Sequence, residues 1–361
     1  MSGAKVTAAL ATAAPTPTRI ALALGRLRHP LARPLLALAL LLLLDFFLVP
    51  GFFHLAVKDG HLYGSLVDIA NRAAPLMLAA IGMTLVIATR GIDISVGAVV
   101  ALSGTVAAVL VGGTMVIQNG VPSYVSRIPM GWALAAALGA AVLCGAWNGL
   151  LVAGLKLQPI VATLILMVGG RGLAQLLTDG QIVTVYYQPF FFLGSGYLLG
   201  LPCALFIVAI VFAATALLLH KTALGMFIQA VGLNPVAARL AGVRTAALTF
   251  FVYVFCIACA GVAGLMICSN IKSADANNAG LLLELDAILA VTLGGTLLAG
   301  GSFSLAGSVV GALIIQTLTY TIYAMGVAPE VNMVVKAVVV FLVCMSQSAQ
   351  FRRLFMRGRA A

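Results

Sequence analysis

The sequence has very little charge for its length. Of its 361 residues, only 8% are Asp, Glu, Lys or Arg, whereas charged residues make up about 25% of an average soluble protein. Hydrophobic residues make up 63%, and apolar runs of about 18 or more residues, each long enough to cross a bilayer as a helix, recur along most of the chain. So few charged side chains cannot cover a soluble domain of this size. The sequence therefore predicts an all-α, multi-pass membrane protein.

Signatures of catalysis and of metal binding are also missing. The four histidines are scattered and show neither HExxH nor any other metal-binding spacing. Residues 295–302, GTLLAGGS, resemble a phosphate-binding loop but have Gly301 where that loop requires lysine. We therefore expect no metal, no cofactor and no ATP hydrolysis by this chain itself.

The six cysteines indicate neither redox chemistry nor a disulfide framework. Most of them lie within apolar runs, and the CxxC pair Cys256 and Cys259 lies on a predicted membrane helix. A reactive thiolate needs an electropositive, partly exposed setting. We therefore interpret these cysteines as small packing residues.

The net charge of +11 is concentrated at the two ends of the chain. Five Lys and Arg residues precede the first long apolar run, and four follow the last. These positions agree with the positive-inside rule and with contact to anionic lipid. The sequence contains no compact basic domain that could bind nucleic acid.

Length and apolar continuity predict ten membrane spans. They lie at residues 34–50, 67–89, 92–113, 130–154, 159–178, 198–219, 246–269, 283–299, 305–325 and 332–349. Together they form a transmembrane domain at 34–349, between a cytoplasmic tail at 1–33 and a basic cytoplasmic tail at 350–361. With both termini in the cytoplasm, fourteen of the 20 Lys and Arg residues lie inside, three outside and three within spans, which favours this orientation.

Two glycine-rich segments resemble each other. Residues 81–102 and 293–313 both contain a G-x-T-L start and a later Gly-x5-Gly-x-Val-Val core, and each connects two predicted spans on the cytoplasmic side. Internal repeats are common in transporters, but glycine-rich apolar segments also resemble each other by chance, and both explanations stay open.

Glycine pairs with GxxxG spacing occur in two predicted spans, at Gly145 and Gly149 and at Gly307 and Gly311. This spacing lets helices approach closely. Packing within the chain and contact with a second subunit both account for the pairs.

A charged, glycine-flanked turn, IATRGIDISVGA at residues 87–98, separates the second and third spans. Gly91 and Gly97 permit a tight or broken backbone, and Asp93 and Ser95 precede the next apolar run, where an acidic side chain can cap a helix. Non-helical backbone inside a membrane needs protein or a water-filled cavity around it. The turn is therefore either a capped loop at the membrane surface or a broken helix that lines a path.

Asn148 and its neighbour Trp147 lie in the cytoplasmic half of the fourth span. An amide offers donors and acceptors to hydroxyl groups without a charge, and an indole ring suits a sugar ring. Both residues are candidates for a path through the membrane. A hydrogen bond between helices is the alternative for Asn148.

Six charged residues lie toward the outer ends of predicted spans, where charged side chains are costly and need partners. They are Asp68, Arg72, Arg171, Glu284, Asp286 and Lys336. Three acids and three bases can form ion pairs that hold the bundle together. They can instead line an outer vestibule that meets a solute or a soluble partner.

The longest predicted cytoplasmic loop, residues 220–243, contains a short predicted helix. Asn234 can cap its N-terminus, Pro235 suits its first position and Gly242 ends it. The helix itself includes Ala238, Arg239 and Leu240. A helix of about two turns is unstable alone in water, so it packs either on the chain's own helices or on a partner.

Four segments, in the same order, resemble the membrane permeases of ribose-, xylose- and galactose-type ABC sugar importers. They are GIDISVGA at 91–98 and residues 146–174, 223–243 and 283–301. The resemblance extends from about residue 35 to residue 345, and residues 72–88 and 273–291 are most similar to the galactofuranose importer permeases. Arg90 is unusual beside the first segment.

The resemblance implies a transport subunit of the bacterial inner membrane and not an enzyme. Such a permease pairs with an identical or related permease, and it works with a cytoplasmic sugar-type ABC ATPase and a periplasmic sugar-binding protein. The resemblance also implies import of a monosaccharide, with galactofuranose as a candidate. It favours the helix within residues 220–243 as a coupling helix that the ATPase holds.

Two other functions stay open on the sequence alone. An ion-coupled secondary transporter of a small polar solute would have carboxylates near the middle of the membrane, whereas the acids here are predicted at span ends. An intramembrane enzyme would need a Ser/His or His/Asp constellation on facing helices, and the sequence offers none.

Overall fold

The structure is a computed structural model that describes residues 31–58, 60–118 and 121–328, together with residues 331, 333–338, 341 and 345. Helices dominate this part of the chain. The predicted tails at 1–33 and 350–361 lie outside the described residues except for 31–33, and so does much of the predicted tenth span at 332–349.

Residues 331, 333–338, 341 and 345 are helical, and twelve further α-helices with both ends in the described residues are numbered here in chain order. They are α1 Ala32–Leu48, α2 Ser65–Ala88, α3 Val96–Val111, α4 Met130–Gly149, α5 Pro159–Leu177, α6 Phe192–Ser195, α7 Cys203–Lys221, α8 Leu224–Leu233, α9 Pro235–Leu240, α10 Thr245–Ile271, α11 Leu283–Leu293 and α12 Leu305–Ala324. A π-helical turn at Leu150–Gly154 extends α4, and a 3-10 turn at Gln188–Phe191 precedes α6.

Six of these helices, α2, α4, α5, α7, α10 and α12, are long and apolar enough to cross a membrane. Three other predicted spans contain shorter helices than expected. In the span predicted at 92–113, α3 begins only at Val96, because residues 89–95 break the helix. In the span predicted at 283–299, α11 ends at Leu293, before Gly295 with its positive φ of 90°. The first predicted span, at 34–50, overlaps α1, which has 17 residues and begins at Ala32.

Short antiparallel strand pairs connect several helices. The strands are β1 Ala56–Lys58, β2 His61–Tyr63, β3 Thr114–Gln118, β4 Val121–Val125, β5 Val183–Thr184, β6 Tyr197–Leu198, β7 Leu201–Pro202 and β8 Ser273–Ala274. Three pairs, β1–β2, β3–β4 and β6–β7, are hairpins. The fourth pair, β5–β8, attaches the connection after α5 to the end of α10, with Val183 opposite Ala274.

Helix α10 is at the centre of the bundle and packs on α2, α3 and α4. Small residues permit this contact, since a Cβ atom at Gly261 would lie only 2.6 Å from the Cβ of Ala141. Of the six long helices, α2 and α10 are among the most buried and α7 is the least buried. The break that follows α2 therefore lies beside the most buried part of the molecule.

Both GxxxG pairs are used for packing within the chain. A Cβ atom at Gly145 would lie 2.8 Å from the Cα of Val254, and one at Gly149 would lie 2.8 Å from the ring of Phe250, both on α10. Gly307 lies against the backbone of Gly294, and Gly311 lies against the carbonyl oxygen of Ala290. Packing between the chain's own helices thus accounts for the spacing.

The two similar glycine-rich segments both form a helix, a break and a second helix. Their second halves correspond, since Gly97 and Gly307 lie near the starts of α3 and α12. Their first halves differ, because Thr84 lies inside α2 whereas Thr296 follows the end of α11. The segments touch: Thr84 Oγ1 donates a 2.7 Å hydrogen bond to Ser308 Oγ.

The contact between α11 and α12 predicts a large effect for a small substitution. A Cβ atom in Gly311→Ala would collide with the carbonyl of Ala290, and overpacking of this kind costs about 1–3 kcal/mol. We expect a lower apparent melting temperature in detergent. Gly139→Ala is the matched control, because Gly139 is helical and has no atom within 4 Å of the added Cβ. Equal melting temperatures for the two variants would contradict the packing of α12 on α11.

Candidate functional site

The break between α2 and α3 is formed by residues 89–95. The N–H of Gly91 donates a 2.9 Å hydrogen bond to the carbonyl of Val86 and closes the end of α2. The sequence suggested Gly91 and Gly97 as the flexible positions, but the residue with a left-handed backbone is Arg90, with φ 66°. Gly91 and Gly97 do not have left-handed backbones, but neighbouring atoms fill the space that a side chain would need at each position. Gly91 lies against the hydroxyl of Tyr253, and Gly97 lies against Glu284 and the carbonyl of Gly280.

Asp93 is the centre of a hydrogen-bonded cluster that also contains Ser95 and Asn148. All three residues have no exposed surface. Asp93 Oδ1 accepts hydrogen bonds from the backbone N–H of Ser95 at 3.0 Å and from its hydroxyl at 2.6 Å. Asn148 Nδ2 donates to Asp93 Oδ2 at 3.3 Å and to Ser95 Oγ at 2.9 Å.

This geometry differs from a capped turn at a membrane surface. Asp93 accepts a hydrogen bond from Ser95, and α3 begins at the residue after Ser95. The carboxylate therefore fixes the conformation of the residues before the helix and does not cap the first N–H groups of the helix. Its complete burial also places it away from solvent. The cluster joins the break to α4 through Asn148.

Two buried polar atoms next to this cluster have no hydrogen-bond partner among the described residues. They are Asn148 Oδ1 and the hydroxyl of Tyr253. Buried polar atoms in proteins are nearly always hydrogen-bonded, so these atoms have capacity for a further polar group. Together with Asp93 and Ser95 they provide donors and acceptors that suit a hydroxyl group or a water molecule. Tyr253 has no signal in the sequence, because a tyrosine in an apolar run is normally a packing residue.

Glu284 lies near this break, at the start of α3. Its side chain is buried and touches the backbone of Gly97, at the second position of α3. The N-terminus of a helix carries a partial positive charge that favours a carboxylate. The position of Glu284 near the start of its predicted span suggested an outer location. The packing of residues 275–283 brings it against α3, with Arg171 and Asp286 nearby.

Trp147 and Asn148 do not share a surface. Asn148 is completely buried, whereas Trp147 is 50% exposed on the outside of α4. Successive residues on an α-helix point about 100° apart, so burial of one favours exposure of the other. The indole ring is therefore not part of the polar cluster.

The other five charged residues that were predicted at outer span ends all have partners. Arg72 forms an exposed ion pair with Asp68 one helical turn earlier, at 2.9 Å. Lys336 Nζ lies 2.6 Å from Asp286 Oδ2. Arg171 donates to the carbonyls of residues 276, 277 and 279.

The loop that Arg171 holds contains an acid that the sequence analysis missed. Asp275 Oδ1 accepts hydrogen bonds from the backbone N–H groups of Asn277 and Asn278, and Oδ2 accepts from the Asn278 side chain at 2.7 Å. The Asn278 amide, the two N–H groups and nearby Arg171 hold the pKa of Asp275 below its usual range, although partial burial acts in the opposite direction. An Asp followed by Asn residues is a turn signal, so the run DANN could have revealed this loop.

The short helix α9 has the cap that its sequence suggested. Asn234 Oδ1 accepts from the N–H groups of Val236 at 3.0 Å and Ala237 at 3.1 Å. Pro235 is the first helical residue, and Gly242, with φ 88°, follows the end of the helix.

The two sides of α9 differ in exposure. Val236 is 63% and Leu240 is 86% exposed, and Arg239 is also exposed. Ala238, in contrast, is buried against the rest of the chain. Of the residues proposed for contact with a partner, Arg239 and Leu240 are therefore accessible and Ala238 is not.

Comparisons with known proteins identify the relatives of this chain. The family model described as "Branched-chain amino acid transport system / permease component" matches residues 65–344. The galactofuranose transporter permease protein of Escherichia coli K12 is 52% identical over 90% of this chain and 92% of that protein. The fructose import permease protein of Bifidobacterium longum is 38% identical over 82% and 81%, and the ribose import permease protein of E. coli K12 is 38% identical over 86% and 91%. No solved structure matches the chain.

The Asp275 turn predicts a pH dependence. Because the folded-state pKa of Asp275 is lowered, its ionised form stabilises the turn at neutral pH. This stabilisation is lost as the pH falls below about 4, through the folded-state pKa. We expect hydrogen exchange at residues 275–280, corrected for intrinsic rates, to accelerate on acidification in the wild type. In Asp275→Asn it should depend on pH much less.

The matched control is Asp179→Asn, at an exposed position in the connection after α5. It should retain the wild-type dependence on pH. A wild-type loop whose protection is the same at neutral and acidic pH would show that the carboxylate does not order the turn.

Proposed function

The chain belongs to the permease-component family of branched-chain amino acid transport systems, and from this membership we propose that it imports a monosaccharide as the membrane subunit of an ABC importer. The observation that carries this proposal is the 52% identity to a galactofuranose transporter permease over 90% of the chain. Other relatives import ribose and fructose, so the substrate class is a monosaccharide and galactofuranose is the first candidate.

The chain is a transport subunit of the inner membrane and not an enzyme. ATP hydrolysis takes place on a separate cytoplasmic ABC ATPase. A periplasmic sugar-binding protein delivers the substrate, and a second permease, identical or related, completes the pore. The ion-coupled secondary transporter that the sequence left open has no support from the relatives.

The proposed topology has ten spans at 34–349 and both termini in the cytoplasm. The distribution of Lys and Arg supports this orientation. Under it, the break at 89–95 and the helix α9 lie on the cytoplasmic side, and the four strand pairs lie on the outside.

The proposed translocation element is the break with its buried cluster. Asp93, Ser95 and Asn148 join the break to α4, and Glu284 meets the start of α3. The unpartnered Asn148 Oδ1 and Tyr253 hydroxyl can bind the hydroxyl groups of a sugar or the water that surrounds it. A rearrangement of α3 during transport would expose these groups.

The function is tested with the complete complex. The chain, its ATPase and its binding protein are reconstituted in proteoliposomes, and ATP hydrolysis is measured with galactofuranose, ribose and fructose. Sugar-dependent hydrolysis accompanied by uptake is expected for one of them. Uptake that follows an ion gradient without ATP would refute the proposal.

Asp93→Ala should insert at normal abundance but lose most of its sugar uptake. The substitution removes the acceptor for Ser95 and Asn148, and leaving buried donors unpaired costs about 1–3 kcal/mol. Radiolabelled sugar uptake is the measurement. Asp93→Asn keeps one acceptor oxygen and should lose less, and Asp179→Asn is the control. Wild-type uptake by Asp93→Ala would make Asp93 dispensable.

The second proposal within this function is that α9 is the coupling helix held by the ATPase. Its exposed Val236 and Leu240 are an apolar pair that the chain itself leaves uncovered. Leu240→Cys, in a background without the native cysteines, should cross-link to the ATPase in membranes, whereas the buried Ala238→Cys should not. Arg239→Glu should preserve insertion while it releases the ATPase or uncouples hydrolysis from uptake. Equal cross-linking at both positions, or normal transport by Arg239→Glu, would count against this docking site.

A further inference from the structure

Three segments of the chain meet at the end of α2. Arg90 Nε donates a hydrogen bond to the carbonyl of Gly232, and Arg90 Nη2 donates to the carbonyl of Leu233, at the C-terminus of α8. The N–H of Gly301, in the connection between α11 and α12, donates a 2.9 Å hydrogen bond to the carbonyl of Ala88. The break, the α8–α9 corner and the second glycine-rich segment thus share one junction.

The cap of α9 explains why these two carbonyls are free to accept from Arg90. In a continuous α-helix the N–H of residue 236 would bind the carbonyl of residue 232, and that of 237 would bind 233. Both N–H groups are instead bound by the side chain of Asn234. The carbonyls of Gly232 and Leu233 are consequently left at a helix C-terminus, where a cation is favoured. The fork of a guanidinium group can bind both of them together.

The three segments are also in close backbone contact at this junction, so none of them can move toward another without displacing it. A Cβ atom at Gly232 would collide with the carbonyl of Ala88 and with the N–H of Gly301. A Cβ atom at Gly300 would lie 2.5 Å from Cγ of Arg90. Displacement of the α8–α9 corner therefore presses directly on the end of α2 and on the residues that follow it.

We infer that Arg90 is a positioning residue that couples α9 to the break, so that a movement imposed on α9 is transmitted to residues 91–95 and their buried cluster. Arg90 is three residues from Asp93, and the intervening chain has no helical turn to absorb a displacement. The inference rests on the proposed role of α9 as the element that meets the ATPase.

The mechanical link is tested first on the permease alone, in lipid nanodiscs, by hydrogen exchange. Arg90→Gln removes the charge and the fork, and we expect exchange to rise about tenfold at residues 232–240 and also at 89–95, as expected for loss of charge-assisted hydrogen bonds. Arg90→Lys should restore part of the protection at both places. Lys156→Gln is the matched control, since Lys156 is also basic and left-handed but is exposed in another connection.

Coupling is then measured in the reconstituted complex as the sugar imported per ATP hydrolysed. Arg90→Gln should still bind the ATPase and hydrolyse ATP, but import about tenfold less sugar per ATP. Arg90→Lys should recover part of this ratio, and Lys156→Gln should match the wild type.

The outcomes separate this inference from the proposed function. Unchanged exchange at 89–95 in Arg90→Gln, or an unchanged ratio of sugar to ATP, overturns the link. If Arg90→Gln fails to insert, Arg90→Lys decides: exchange raised at 232–240 and not at 89–95 overturns the link, and exchange raised at both supports it. If exchange changes as expected but the wild-type complex shows no sugar-dependent hydrolysis, the link stands and the proposed function is wrong.

Discussion

A carboxyl group with no exposed surface, inside a bundle with very little charge, is the constraint on which this structure depends. A buried acid is costly unless hydrogen bonds surround it. Asp93 meets this requirement with the backbone and hydroxyl of Ser95 and the amide of Asn148. To assemble these partners, α2 has to end before Asp93, α3 has to begin after Ser95, and α4 has to present Asn148 at the same depth. The glycines around the break follow from this arrangement, because neighbouring groups fill the space that their side chains would occupy.

Features that are encoded locally could be predicted from the sequence, and those that arise from packing could not. The start and end of α9 depend on Asn234, Pro235 and Gly242, which act on their own neighbours, and the apolar runs located the long helices. The position of Glu284, in contrast, depends on how residues 275–283 fold against α3. The opposite orientations of Trp147 and Asn148 depend on which side of α4 meets α10. The partners of Arg90 could not be predicted either, because they lie more than a hundred residues away in the sequence. They are two carbonyls of α8 that the Asn234 cap leaves without N–H partners.

The position of Glu284 also affects how acids should be used to classify transporters. On the sequence, acids at span ends argued against a carrier driven by an ion gradient. The structure buries both Asp93 and Glu284 near the start of α3, so the position of an acid along its span does not by itself classify a transporter. Family membership, and not the depth of the acids, identifies the chain as a subunit of an ABC importer. The two carboxyl groups instead flank α3, whose N-terminal dipole favours both.

The π-helical turn at Leu150–Gly154 has a consequence for how this protein can vary. In this turn the N–H of Leu155 reaches the carbonyl of Leu150, five positions back, so the turn holds one residue more than an α-helical turn. Leu151 is buried and Val152 packs against the core, whereas Leu150 and Gly154 are exposed. Deletion of one residue would restore a regular helix, but it would rotate everything that follows by about 100° relative to Asn148. At the two exposed positions the residue type can therefore vary, whereas the number of residues in the turn is fixed.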